Sequence, residues 1–486
     1  MNSNTKAVLN TDNLPTYGLL INGEWVRGAG PVLTVLDKYR LSPCAKLTTP
    51  DDGQLLMTVD AAHAAFRAGA PVAYERGLIL ERAVQILDSR AKEFVHAMQL
   101  EAGFTQSDAQ GEVRRCLQTL RLSAEEARRL AGEVIPLAGA PAAAGRMGFT
   151  IRVPLGVVLA VTPFNSPLNT VMHKVAPAFA AGNAVILKPS SNTPMTACLL
   201  AEVLLEAGMP KGFLSVLHGS GEMVRQLQAD HRVRFFAFTG STEVGRVIQQ
   251  AAGLRRTQME LGSIACTILC DDANLEAALP KVVNAGYRKA GQVCTSVQLL
   301  LVHETLRQDV ERRLAEMVQA LSYGDPGDPQ TFVGPVISEG NAIRIESWIE
   351  EAVARGAKRL AGGARQGSVV PPTLLTQISD DMKVGCQEIF GPVVCIVPFK
   401  TLAEAIARVN ATPYGLATGV FTNRLNDALA AAQQLEVGGV HINETSSSRV
   451  DLMPYGGSKD SGFGREGPRY AVHEMTEERI VTITTL

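Results

Sequence analysis

A cysteine, a glutamate and an asparagine carry the side chains whose types could perform carbonyl chemistry. Cys294 sits in Gly291-Gln292-Val293-Cys294-Thr295-Ser296, Glu260 in Met259-Glu260-Leu261-Gly262, and Asn165 in Thr162-Pro163-Phe164-Asn165. A thiolate adds to a carbonyl carbon, a side-chain amide donates to the resulting oxyanion, and a carboxylate takes a proton from the thiol or from water. The eight cysteines, at 44, 116, 198, 266, 270, 294, 386 and 395, form no Cys-x-x-Cys pair and no Cys/His cluster at zinc spacing. Neither disulfides nor a structural metal is expected. A free cysteine is by default a small buried hydrophobe, so Cys294 stands out only through its neighbours.

Elements that could position these groups are legible along the chain. Its 486 residues exceed what one core usually supports, so two or three domains are expected. Hydrophobic residues make up 46% and charged ones 19%, a globular balance, and the net charge of −2 gives no field favouring nucleic acid or an anionic membrane. Without a basic and apolar leader or a long apolar run, the expectation is a cytoplasmic chain acting on a small molecule, with no nucleic-acid or membrane partner. Leu19 to Val26 carries Asn22-Gly23 between short apolar runs, a hairpin signal for a small antiparallel piece. From Leu55 to about Glu133 the pattern is helical, punctuated by Gly69, Gly77 and Gly103. The apolar runs at 157–161, 184–187, 213–217 and 235–238 then alternate with helical stretches, which predicts a parallel, doubly wound sheet with ligands at the carboxyl ends of its strands. A second α/β domain restarts after Gly262 with runs at 267–270 and 299–302, and residues 476–486 alternate like a terminal strand.

Further motifs join the first three. Gly240-Ser241-Thr-Glu-Val-Gly245 follows a strand and opens a helix, so backbone amides could face a pyrophosphate, and Lys188 ends a strand on the ligand edge. With Gln387-Glu388-Ile389-Phe390-Gly391-Pro392 and the glycine-rich stretch 454–464, the set resembles, in order and spacing over nearly the full length, the aldehyde dehydrogenase superfamily. The resemblance implies an α/β subunit of three parts. These are a Rossmann-like parallel-sheet cofactor domain (residues 1–136 and 157–261), a second α/β catalytic domain (262–469), and a small bridging β element (137–156 and 470–486) that assembles homodimers or homotetramers. It implies Cys294 as nucleophile, Asn165 as oxyanion donor and Glu260 as general base. It places NAD or NADP against Thr162, Pro163, Lys188, Ser191, Gly240, Ser241, Gly245, Leu261, Glu388 and Phe390. The Glu at 260 favours hydrolysis of a thioester over transfer to coenzyme A.

Two positions depart from the family pattern. Ser263 stands where Glu-Leu-Gly-Gly has its second glycine, adding a Cβ near the nicotinamide. Ser191 stands where many NAD-preferring members carry a ribose-binding Glu, so a 2′-phosphate is not repelled and NADP is admissible. The loop 444–453 offers hydroxyls and Arg449 at what in the family is the substrate entrance, Arg115 lies on a helix that in the family flanks the same tunnel, and Arg288 precedes Cys294 by six residues. Guanidinium forks suit carboxylate, phosphate or phosphonate. The detailed likeness is to phosphonoacetaldehyde and lactaldehyde dehydrogenases, which puts phosphonoacetaldehyde first, with lactaldehyde, succinate semialdehyde and glyceraldehyde 3-phosphate as alternatives. The competing classes are a cysteine hydrolase or acyltransferase using one of the eight histidines as base, and a catalytically silent structural homologue.

Overall fold

The computed structural model describes residues 6–10, 14–141 and 143–484. Two largely parallel sheets organise it. The central five strands of the first, Val157–Val161, Ala184–Lys188, Leu214–Val216, Val233–Thr239 and Arg256–Glu260, run parallel. Val157, Val158, Val185, Ile186 and Phe235 are fully buried, because helices cover both faces. That two-sided burial is why the sequence shows continuous apolar runs instead of alternation. Among these parallel strands the chain starts in the middle with Val157–Val161, extends one way, then returns to add Val233–Thr239 and Arg256–Glu260 on the other side. The crevice between Val157–Val161 and Val233–Thr239 is thus a topological switch point, the place where such sheets bind ligands. Thr162–Asn165 and Gly240–Ser241 leave the strands there.

The Asn22-Gly23 hairpin forms, with Leu19–Ile21 antiparallel to Glu24–Val26 and both turn residues at positive φ, 51° and 77°. It extends one edge of the first sheet instead of standing apart. At the other edge Gly462–Phe463 pairs antiparallel with Arg256–Glu260, so a stretch expected in the catalytic domain completes this sheet. Four helices, Asp52–Ala68, Ala73–Ser89, Ala91–Ala102 and Gln106–Arg129, fill the region read as helical. Gly69 and Gly103 close two of them, but Gly77 does not punctuate. It lies buried inside Ala73–Ser89, where a Cβ would meet the Arg128 guanidinium at 2.5 Å, so its absent side chain lets two helices approach.

The second sheet orders Lys358–Ala361, Thr373–Thr376, Val393–Phe399, Leu299–His303, Cys266–Leu269, Ala417–Phe421 and Gly439–Ile442, all parallel except the first. It has its own apolar core. A third sheet pairs Thr476–Thr484 with Arg146–Pro154 and adds Val134–Ile135, which were expected with the cofactor domain. The last two residues of the expected terminal strand lie outside the described residues.

Candidate active site

Loops from both large sheets enclose a cavity of about 580 Å³. Cys294, Glu260 and Asn165 line it, as do Arg115, Arg288 and Arg449. Of the ten expected cofactor contacts, Pro163, Gly240, Ser241, Leu261, Glu388 and Phe390 line it too, whereas Thr162, Lys188, Ser191 and Gly245 lie beyond its wall. Cys294 is the one cysteine of the eight among the lining residues, and none of them is a histidine.

The thiol loop is delivered by an unusual backbone. Lys289, Ala290 and Gly291 sit consecutively at φ of 52°, 53° and 68°, between the helix Leu275–Tyr287 and the strand Leu299–His303. Left-handed geometry at non-glycine residues costs about 1–3 kcal/mol each and persists only where the surroundings dictate it. Gly291 is obligatory, since a Cβ there would stand 2.0 Å from the Gly391 carbonyl oxygen. Lys289 supplies the restraint: its buried ammonium donates to Glu112 Oε2 at 2.7 Å and to the Asn165 carbonyl at 3.2 Å. Glu112 also accepts from the Asn169 N–H at 2.9 Å and from the Ser166 hydroxyl. Asn165 Nδ2 in turn donates to the Gln292 carbonyl at 2.8 Å. The asparagine loop of the first sheet and the thiol loop of the second are therefore tied together twice.

Charge around the sulfur is finely set. Burial pushes the Cys294 thiol up to about 11, opposed by a hydrogen bond with Tyr455 and by the Arg449 charge. Tyr455 Oη lies 2.9 Å from Cys294 Sγ. Burial, reinforced by the Glu466 charge, pushes Glu260 well above the usual carboxylate range, and its Oε1 has no partner among the described residues. Glu466 goes the opposite way. Burial opposes its ionisation, but Lys174 at 2.9 Å and Arg449 at 2.9 Å hold it ionised. Of two neighbouring buried carboxyls, Glu466 takes the charge and Glu260 takes the proton.

The three arginines differ. Arg449 is matched by Glu466 and lies over the Tyr455 ring, 3.7 Å from its centroid. Arg115 donates twice to Asp451, at 2.7 and 3.2 Å. Arg288 donates to the Ser447 hydroxyl at 2.7 Å and forms no ion pair among the described residues. Burial lowers its proton affinity, and the more distant Asp108 and Glu112 charges offset this in part.

On the cofactor side, Ser241 caps the helix Thr242–Ala252 and turns its first amides toward the cavity. Glu388 accepts from the Ser263 N–H at 3.0 Å, and burial pushes its carboxyl up to about 7. Ser263 does not line the cavity. The Phe390 ring, on a residue at φ 48°, meets the Phe164 ring edge-on at 5.8 Å and joins the two loops. Lys188 pairs in register with Val161 at the strand ends, and burial brings its ammonium down to about 8. Ser191 donates to the Gly219 carbonyl at 3.3 Å. The hydroxyls of Thr162 and Thr239, without partners among the described residues, the buried ammonium of Lys188 and the Glu388 carboxylate are donors and acceptors of the kind that riboses and phosphates satisfy. The residues present therefore fit a dinucleotide.

Sequence reasoning missed Tyr455, Lys174, Glu466, Lys289 and Glu112. One signal was available. Lys174 sits in the helix Asn169–Ala180, whose every residue is buried, and a buried lysine requires a buried partner.

The model of the aldehyde dehydrogenase family matches residues 25–481, and the chain belongs to that family, oxidoreductases acting on aldehydes. It is 46% identical over 469 residues to 3-sulfolactaldehyde dehydrogenase of Priestia megaterium, covering 96% of this chain and 98% of that protein. Its fold is similar to the crystal structure of aldehyde dehydrogenase 21 from Physcomitrella patens in complex with the reaction product succinate, at a TM-score of 0.94 and 38% identity, covering 96% of this chain and 98% of the other. It is also similar to glyceraldehyde-3-phosphate dehydrogenase from Methanocaldococcus jannaschii complexed with NADP, at a TM-score of 0.89 and 34% identity, covering 93% and 99%.

Proposed function

We propose that the chain oxidises a short aldehyde bearing a terminal anion to the carboxylic acid, using NAD or NADP. The carrying observation is Arg288: a half-buried guanidinium in the cavity wall, with no carboxylate within ion-pair distance among the described residues, donating to the Ser447 hydroxyl that also meets the Thr295 hydroxyl. The bound dinucleotide would supply a hydride acceptor, held by Glu388, Lys188 and the first turn of Thr242–Ala252. This chain's residues do the rest. Glu260, once ionised, takes the Cys294 proton directly or through water, and the sulfur electron pair forms the bond to the aldehyde carbon. The Asn165 amide proton not engaged by Gln292 and the Cys294 N–H donate to the oxyanion. After hydride departure and release of the thiol proton to solvent, the ionised Glu260 takes a proton from the water that adds to the thioester carbonyl, and the Cys294 sulfur leaves as the acid is freed.

The similarity to a sulfolactaldehyde enzyme moves a sulfonated aldehyde ahead of phosphonoacetaldehyde, and both share the same anion chemistry. Succinate semialdehyde, glyceraldehyde 3-phosphate and lactaldehyde follow. The test is steady-state NAD(P)H formation across these aldehydes with Arg288→Ala. A lost hydrogen bond to a charged group should raise KM for the sulfonate and phosphonate roughly 10- to 100-fold and leave neutral lactaldehyde nearly unchanged. Equal effects on charged and neutral substrates would remove the anion subsite from consideration. The hydrolase reading loses its base, since no histidine lines the cavity. The exposed edge strand Thr476–Thr484 supports assembly as a homodimer or homotetramer.

A further inference from the structure

Tyr455 is held on every side. Its backbone exchanges two hydrogen bonds with Glu466, at 3.1 and 2.7 Å, and its ring is covered by the Arg449 guanidinium, 3.7 Å from the centroid. Glu466 anchors that guanidinium at 2.9 Å and is itself anchored by Lys174. The phenolic oxygen emerges from this frame 2.9 Å from Cys294 Sγ, its one hydrogen-bond partner among the described residues. We propose that Tyr455 is a further catalytic residue, whose hydroxyl donates a hydrogen bond to the Cys294 sulfur in its thiolate form, and that Arg449 is the positioning residue that fixes the ring for this purpose.

A thiolate is the nucleophilic form and accepts only from groups that keep their own proton. Tyr455 qualifies: burial and the nearby sulfur push its phenol well above the usual range, so the proton stays on oxygen while the sulfur ionises. The remaining charges that face the sulfur oppose one another. Arg449 favours the thiolate, as does Arg288 from the far wall, while Glu260 and Glu388 disfavour it. Burial, the largest effect, also disfavours it. The tyrosine is the neutral donor that tilts this balance toward the thiolate without adding a charge that would also bind the substrate's anion. The inference rests on Cys294 being the nucleophile but not on the identity of the aldehyde.

Tyr455→Phe keeps the ring and its stacking on Arg449 and deletes only the hydroxyl. Alkylation of Cys294 by iodoacetamide, followed by peptide mass spectrometry in the absence of aldehyde and dinucleotide, reads thiolate formation alone. The midpoint of its pH profile should move up by roughly one unit in the variant, with about tenfold slower alkylation below the midpoint. Superimposable wild-type and variant profiles would overturn the proposal. Should Tyr455→Phe fail to fold, 3-fluorotyrosine at 455, a more acidic phenol of nearly the same shape, should move the midpoint down. An unmoved midpoint there overturns the proposal equally. A failed anion test at Arg288 with a shifted alkylation profile would leave Tyr455 standing while removing the substrate class.

Discussion

Burial disfavours the ionised forms of both Cys294 and Glu260, and the adjacent Glu466 charge disfavours that of the glutamate further. The reaction needs the pair to share one proton, not two. Burial raises the Cys294 thiol to about 11, and burial together with the Glu466 charge raises Glu260 well above the usual carboxylate range, so ionising either group is harder than in water. The pH profile of kcat/KM should therefore rise through the neutral to alkaline region, with its acid limb displaced upward from an ordinary carboxylate. A limb at the usual Glu value would contradict the burial argument. Glu260→Gln should lose that limb and roughly 10²–10⁴-fold in kcat. Asn165→Ala should cost roughly 10²–10³-fold in kcat with KM changed little, measured by initial rates, because its free N–H meets only the oxyanion. These three residues were readable from sequence because each lies in a short stretch of distinctive composition. Tyr455 was not, although it lies in the glycine-rich stretch 454–464. Its contact with Cys294 spans 161 residues and is created only when Gly462–Phe463 joins the first sheet and carries Tyr455 to the cavity.

At the scale of elements, the site depends on how the helix Gln106–Arg129 grips two loops. Glu112 on that helix meets Lys289 on the thiol loop and the Ser166 and Asn169 groups beyond Asn165, with Glu112, Lys289 and Asn169 buried. Lys289→Met removes the cation and leaves Glu112 buried and unmatched, which should cost about 3–5 kcal/mol in denaturant unfolding. The double variant Lys289→Met with Glu112→Leu should recover much of this stability yet not the kcat, since the Lys289 tie to the Asn165 carbonyl is gone. Recovery of both would reduce the pair to packing. The pH dependence has a definite sign. Burial opposes ionisation of Glu112, but Lys289 brings it down to about 2. Its contribution is then fully present above the unfolded value of about 4.3 and is lost as pH falls toward 2. Glu112→Gln should flatten that part of the acid-unfolding curve. The strands around this grip were legible because parallel strands buried on both faces read as apolar runs. Gly77 was misread because nothing local distinguishes a helix-ending glycine from one that admits Arg128 of another helix. Left-handed Lys289 and Ala290 left no trace in sequence, as neither residue type favours that geometry.

For the whole molecule, the proposed dinucleotide site would draw on both large sheets. The first presents Lys188 and Ser191 beyond the cavity wall, and the second presents Glu388 and Cys294 inside it. A dinucleotide satisfying both ends would link the two bodies, so its binding should raise the thermal midpoint of the entire chain and not of one portion. At a hundredfold excess over Kd the gain is about 2.7 kcal/mol. The adenosine end decides between the two nicotinamides. Lys188 is a buried ammonium brought down to about 8 by burial, and Ser191 presents a hydroxyl where a carboxylate would repel a 2′-phosphate. Wild type should therefore be stabilised by both NAD and NADP in differential scanning fluorimetry. Ser191→Glu should abolish the NADP shift and preserve the NAD shift, because the new carboxylate repels the phosphate but accepts from the free ribose hydroxyl. If Ser191→Glu left the NADP shift unchanged, the 2′-phosphate would have to sit elsewhere, and the adenosine end would not lie at the carboxyl edge of the first sheet.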